Sequence, residues 1–154
     1  MPSSITIPIE IQLTERSQSI LAALSGAIGT TQEPATASAS AVDLQPGEHY
    51  AGVVLDESGQ VVHHLVLMAQ RPDVKLKWQE AMDWAASVGG ALPTRQEQAL
   101  LYANCKPHLK PEWHWSSETH ADDASYAWGC YFGHGGQGYD HKSCEGAAVA
   151  VRRV

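Results

Sequence analysis

Apolar residues first recur at every second position: Ile5, Ile7, Ile9, Ile11 and Leu13 alternate with Thr6, Pro8, Glu10 and Gln12. That period gathers the aliphatic side chains on one face of a β-strand. Pro8 has no N–H to donate and favours an edge or a bulge. From Thr14 the period lengthens. Ile20, Leu21, Leu24 and Ile28 share one stripe of a helix that Gly29 can terminate. A strand and helix this short bare more apolar surface than they cover. Residues 4–28 are therefore expected to drive a homo-oligomer, with docking onto the rest of the chain as the alternative.

Residues 30–41, TTQEPATASASA, are small and polar apart from Glu33 and have no periodic apolar positions. Such a composition predicts a mobile linker, drawn here over 30–43, between a strand–helix segment at 1–29 and a main domain at 44–154. In the main domain, Tyr50–Leu55 and Val61–Met68 flank Asp56-Glu57-Ser58-Gly59 and predict a β-hairpin. Leu76, Ala81, Trp84, Ala85 and Val88 predict an amphipathic helix over 74–88, stopped by Gly89-Gly90. Thr94 as N-cap, with Glu97 at the capping-box position, predicts a second helix over 95–104, closed by Pro107 and Pro111. Ala147–Val154 reads as a closing strand. The fold class expected is α+β.

Leu92-Pro93-Thr94 has a local reading: Pro fixes φ ahead of the helix and Thr accepts its first free N–H groups. Trp115 and Trp128 are expected to be core pins, with the Ser116 and Ser117 hydroxyls satisfying loop backbone. Together with Trp78, Ala81, Gly90, Arg95, Glu97, Phe132 and the closing Val151-Arg152-Arg153-Val154, these motifs resemble, in order and spacing, a known family. It is the bacterial and phage domain family that includes the C-terminal domain of collagen-like adhesins. The resemblance runs from residue 74 to residue 154. It implies a C-type-lectin-like fold, with two helices flanking antiparallel strands and long loops, to which the N-terminal strand–helix is an appendage. It also implies binding, in phage structural or accessory proteins or in surface adhesins.

Charge narrows the partners. The net charge is -7, and the Lys/Arg residues form no cluster beyond Arg152-Arg153, so a nucleic-acid partner is not expected. No apolar run approaches the roughly 20 residues that span a bilayer, and the N-terminus lacks a basic n-region with a continuous apolar stretch. Neither membrane insertion nor a signal peptide is expected. Three widely spaced cysteines, Cys105, Cys130 and Cys144, fit free thiols in a cytoplasm where the chain is made, including one later carried on a virion.

The candidate chemistry lies in the last third. The glycine-rich stretch 129–139 offers Tyr131, His134, Gln137 and Tyr139 as a binding surface, and Glu118, Asp122 and Asp123 add an acidic loop beside it. The sugar-site signatures of C-type lectins, Glu-Pro-Asn or Gln-Pro-Asp with Trp-Asn-Asp, are absent, so a lectin calcium site is not expected. Cys130, His134, His141 and Cys144 have zinc-type side chains at short intervals, but the spacing matches no common finger. The reading preferred for these is a small buried hydrophobe at each cysteine and ordinary loop histidines. No cofactor is predicted. No Gly-x-Ser-x-Gly, His-Glu-x-x-His, phosphate loop or dinucleotide fingerprint occurs, and a non-catalytic binder is expected over an enzyme of the formylglycine-generating type. Its ligand is expected to be a protein or a cell-surface glycan, in a phage or prophage setting.

Light scattering on the full chain and on a chain beginning at Val42 tests the oligomer. An assembly that falls to monomer on truncation is the expected result, and a monomer in both removes residues 4–28 from that role.

Overall fold

The computed structural model describes residues 42–154. The strand and helix expected within 1–29, the oligomerising segment 4–28 and linker residues 30–41 lie outside the described residues. The remainder is a mixed α+β arrangement of two helices and two three-stranded antiparallel sheets. The first sheet has the order β1 (His49–Leu55), β2 (Val61–Leu67), β6 (Val151–Arg153). The second has the order β3 (Trp113–Thr119), β4 (Tyr126–Tyr131), β5 (Gly136–His141). Helices α1 (Trp78–Ser87) and α2 (Arg95–Cys105) lie between β2 and β3 in sequence, and a short 3₁₀ turn, Lys106–His108, follows α2. No helix among the described residues is long and apolar enough to cross a membrane.

The expected hairpin forms as β1–β2, its turn held by Asp56, whose Oδ1 accepts from the Ser58 and Gln60 amides. Helix α1 is shorter than the 74–88 expected. Leu76 exchanges two backbone hydrogen bonds of 2.9 Å with Gly146, which holds the preceding residues extended. Helical winding then begins after Lys77, whose amide donates to Glu80 Oε2 at 3.0 Å. Leu76 has an apolar stripe position but spends its backbone on a bridge. Helix α2 starts as its capping box predicts, with Thr94 Oγ1 accepting from the Glu97 amide and Glu97 Oε2 accepting from the Thr94 amide.

The closing run is only partly a strand. Val151–Arg153 pairs with β2, whereas Ala147–Ala150 passes buried between the two halves of the domain. Its alternation serves two cores. Val149 and Val151 join Leu65, Leu67, Leu101, Cys130 and Phe132 under α2. Ala148 and Ala150 join Trp115, Leu92, Ala81 and Ala85 under α1. Extended residues send successive side chains to opposite faces, so a strand covered on both sides must be apolar throughout. The small side chains on the α1 side leave room for Trp115, which is fully buried as expected and donates through Nε1 to the Leu76 carbonyl.

Glu97 joins these parts. Its side chain is 1% exposed and accepts from Arg153 Nε (2.6 Å) and Nη2 (2.8 Å), from the Thr94 amide (2.8 Å), and contacts His63 Nε2 at 2.8 Å. One carboxylate thus ties the start of α2 to β2 and to the chain's end. Burial pushes its proton affinity up, but the Arg153 bonds and the Thr94 and His63 contacts outweigh that and hold the carboxyl below the usual glutamate value.

A folded-state value below the unfolded one contributes stability that is present above the unfolded pKa, about 4.3, and is lost as pH falls through the folded value. Glu97→Gln is expected to lower unfolding free energy by about 2–3 kcal/mol at neutral pH. In urea titrations the gap between the two proteins should close on acidification. A gap that stays constant to pH 3, about one unit below the unfolded value, contradicts this account.

Candidate functional site

The geometry of the second sheet follows from where helix α2 stops covering it. In β4–β5 the aligned pairs are Cys130 with Gln137, Trp128 with Tyr139, and Tyr126 with His141. These six side-chain positions share one face by the two-residue period. Cys130 is buried in the core under α2. Beyond the first residue of that helix, Arg95, the face opens, and Trp128, Tyr139, Tyr126 and His141 are left outside.

The reverse face explains why glycines separate these residues. Gly129 lies opposite Gly138. A Cβ on Gly129 would come within 2.6 Å of the Trp113 ring and the His114 carbonyl oxygen, and one on Gly138 would meet the same indole at 3.3 Å. The indole of Trp113 therefore packs against side-chain-free backbone.

On the open face the rings form a continuous cluster. His120 at the end of β3 sits 4.2 Å from Tyr139 and 5.4 Å from Trp128, centroid to centroid. Tyr139 meets the Trp128 ring edge-on at 5.3 Å, and Tyr126 meets His141 edge-on at 5.3 Å. The Arg95 guanidinium lies 3.5 Å above the Trp128 centroid, a cation–π contact. Gln137 clasps Arg95 from both ends, accepting from Nε at 3.1 Å and donating to the Arg95 carbonyl at 2.6 Å. Glu118 accepts from the Arg95 backbone amide, which puts a carboxylate at the N-terminus of α2, where the helix dipole favours one. Tyr139 projects from the cluster, 53% exposed.

The residues expected to bind therefore divide. Glu118, Gln137 and Tyr139 converge on this face. Tyr131 and His134 pair with each other, 4.9 Å between centroids, at the β4–β5 turn, where Gly135 with φ +78° lies against Tyr102. Asp123 builds the neighbouring loop: its Oδ1 accepts from the Ser125 amide and hydroxyl, and these bonds lower its pKa. The Asp122 amide contacts His120 Nδ1 at 3.3 Å.

Trp128 corrects the expectation of a core pin. It is half-buried, and its ring belongs to the open face rather than to either core. Arg95, His120, Tyr126 and His141 join the site without having been singled out for binding. The signal for two of them, Tyr126 and His141, was the two-residue alternation Tyr126-x-Trp128 and Gln137-x-Tyr139-x-His141. Read with the intervening glycines, it marks one aromatic face of a hairpin.

The four zinc-type side chains do not assemble. Cys130 is buried and Cys144 exposed, while His134 Nδ1 accepts from the Gly136 amide and His141 Nδ1 contacts Ser143 Oγ at 2.6 Å. Among the described residues, no three His, Cys, Asp or Glu side chains group as metal ligands. Burial raises the Cys105 and Cys130 thiols, and hydrogen bonding with Asp140 raises Cys144. Raised thiols are poor nucleophiles at neutral pH. No protein-family model matches the chain, and no curated protein matches it.

Gly129→Ala is expected to cost about 1–3 kcal/mol, because the methyl group meets backbone and a large ring that cannot withdraw. Thermal melts measure the loss. A variant as stable as the parent shows that Trp113 has somewhere else to go.

Proposed function

We propose that residues 44–154 form a non-catalytic binding module of C-type-lectin-like architecture whose β4–β5 aromatic face recognises a cell-surface glycan. The observation that carries this reading is the ring cluster of His120, Tyr126, Trp128 and Tyr139, bordered by Arg95, Gln137 and Glu118 and held outside both cores. Aromatic rings bury the apolar faces of sugar rings with little loss of side-chain freedom, since each has only two rotatable bonds. The net charge of -7 favours neutral over sulfated or sialylated sugars. Two ordered hydrogen bonds fix Arg95 and Gln137 before a ligand arrives, which reduces the ordering cost of binding. The setting, taken from the family resemblance, is a virion-associated or fibre-type protein of a phage or prophage. There an oligomer built through residues 4–28 would multiply weak single-site affinities.

A second reading is a soluble accessory factor that binds a host protein. It draws on the self-packed rings: Trp128 already has Arg95 on one face and His120 stacked beside it, leaving Tyr139 to project as a protein-interface anchor would.

The full chain applied to an array of neutral and anionic glycans separates these readings. Binding to neutral glycans is expected, weakened roughly tenfold by Tyr139→Ala, with the melting temperature unchanged. Binding that survives both Tyr139→Ala and Tyr126→Ala removes this face from recognition. Silence across the array, with a host protein captured by the parent and lost by Tyr139→Ala, favours the accessory factor.

A further inference from the structure

Away from the aromatic face, the loop after β2 and the segment after the 3₁₀ turn enclose a cleft of about 390 Å³, a size suited to a small organic ligand. Its walls carry Arg71, Lys75, His108, Lys110 and His114, with Asp73 and Glu112 as the opposing acids. Lys75 is already paired with Glu112 at 3.2 Å. Arg71 and Lys110 then outnumber Asp73, a local positive excess on a chain of net charge -7. Val74, Ala147 and Ala148 supply the apolar part of the lining.

Among the described residues, the three arginines outside the aromatic face allow a direct comparison. Arg152 presents its Nε–Nη2 edge to Glu48 at 2.9 and 2.7 Å, and Arg153 presents the same edge to Glu97 at 2.6 and 2.8 Å. That edge is the one that matches a two-oxygen anion. Arg71 is anchored from the opposite side. Its Nη1 donates to the Met68 and Gln70 carbonyls at 2.5 and 2.7 Å, and its Nη2 reaches only the His108 carbonyl at 3.4 Å. Among the described residues no carboxylate meets its Nε–Nη2 edge. The guanidinium is fixed by backbone, partly desolvated, and left without a carboxylate on its Nε–Nη2 edge in the lining of a cationic cleft.

We propose that this cleft is a second binding site, for a small organic anion that places two terminal oxygens, of a carboxylate or a phosphoryl group, on Arg71, with Lys110 adding charge. It is independent of the aromatic face, and neither site requires the other.

The test is an amide-resolved NMR titration of the full chain with inorganic phosphate and, separately, with acetate, at ionic strength matched with chloride. Saturable shifts in residues 71–75 and 108–114 are expected with at least one probe, and the stronger of the two identifies the oxygen group preferred. Arg71→Gln should weaken that binding by roughly tenfold or more, while Lys106→Gln, which removes the same charge outside the cleft, should not. Lys110 makes no side-chain bond among the described residues, so Lys110→Gln is the second probe if Arg71→Gln unfolds its loop, and it too should weaken binding. Shifts that never saturate with either probe, equal weakening by Arg71→Gln and Lys106→Gln, or full affinity in Lys110→Gln would each overturn the proposal.

Discussion

One buried carboxylate constrains the rest of the domain. Glu97 cannot be enclosed as an anion unless its oxygens are bonded, and beside the local Thr94 amide the partners it recruits come from two distant stretches: His63 on β2 and Arg153 on the closing strand. Meeting that requirement fixes the start of helix α2 against the first sheet and draws the last strand onto β2. Arg153 must be long and forked to span the gap with two bonds, which a lysine could not do with the same geometry. The neighbouring Arg152 repeats the device outward, gripping Glu48 and the Asp43 carbonyl. The closing strand is thus secured on both faces by ions as well as by its ladder.

With the end of the chain fixed, the run before it has no freedom left. Ala147–Ala150 must pass between the α1 half and the α2 half, and its alternating small and branched side chains divide one apolar interior into two cores. Trp115 fills the space that the alanines leave. The second sheet is carried by the same run, through the hydrogen bonds between Trp115 and Ala147 and between Ala147 and Trp113. Its open aromatic face is therefore supported by rigid elements, although a loop-rich sequence surrounds it.

That face exists because helix α2 begins where it does, at Arg95. A sheet wider than the helix that covers it leaves one end of its inner face to solvent, and here the residues on that end are aromatic. Arg95, at the boundary, serves both sides: its amide and carbonyl are held by Glu118 and Gln137, and its guanidinium lies over Trp128. The boundary between core and candidate site is a single residue wide.

Much of this was written in the sequence wherever the signal was local. The β1–β2 hairpin, the Thr94–Glu97 capping box and the burial of Trp115 follow from turn chemistry, capping and apolar periodicity, which depend on neighbours a few positions away. The α1 start departs from its periodicity because Leu76, though on the apolar stripe, binds Gly146, seventy positions later in the chain. The exposure of Trp128 has a related reason. Alternation assigns Trp128 and Cys130 to the same side of β4, but only where α2 begins decides that one is covered and the other is not. The bond of Glu97 to Arg153 and the lack of a carboxylate on Arg71 are equally invisible along the chain. The sequence by itself determined which residues could form each element and which side chains share a face. The tertiary structure alone decided which of those faces is buried, because burial depends on what a distant segment brings to it.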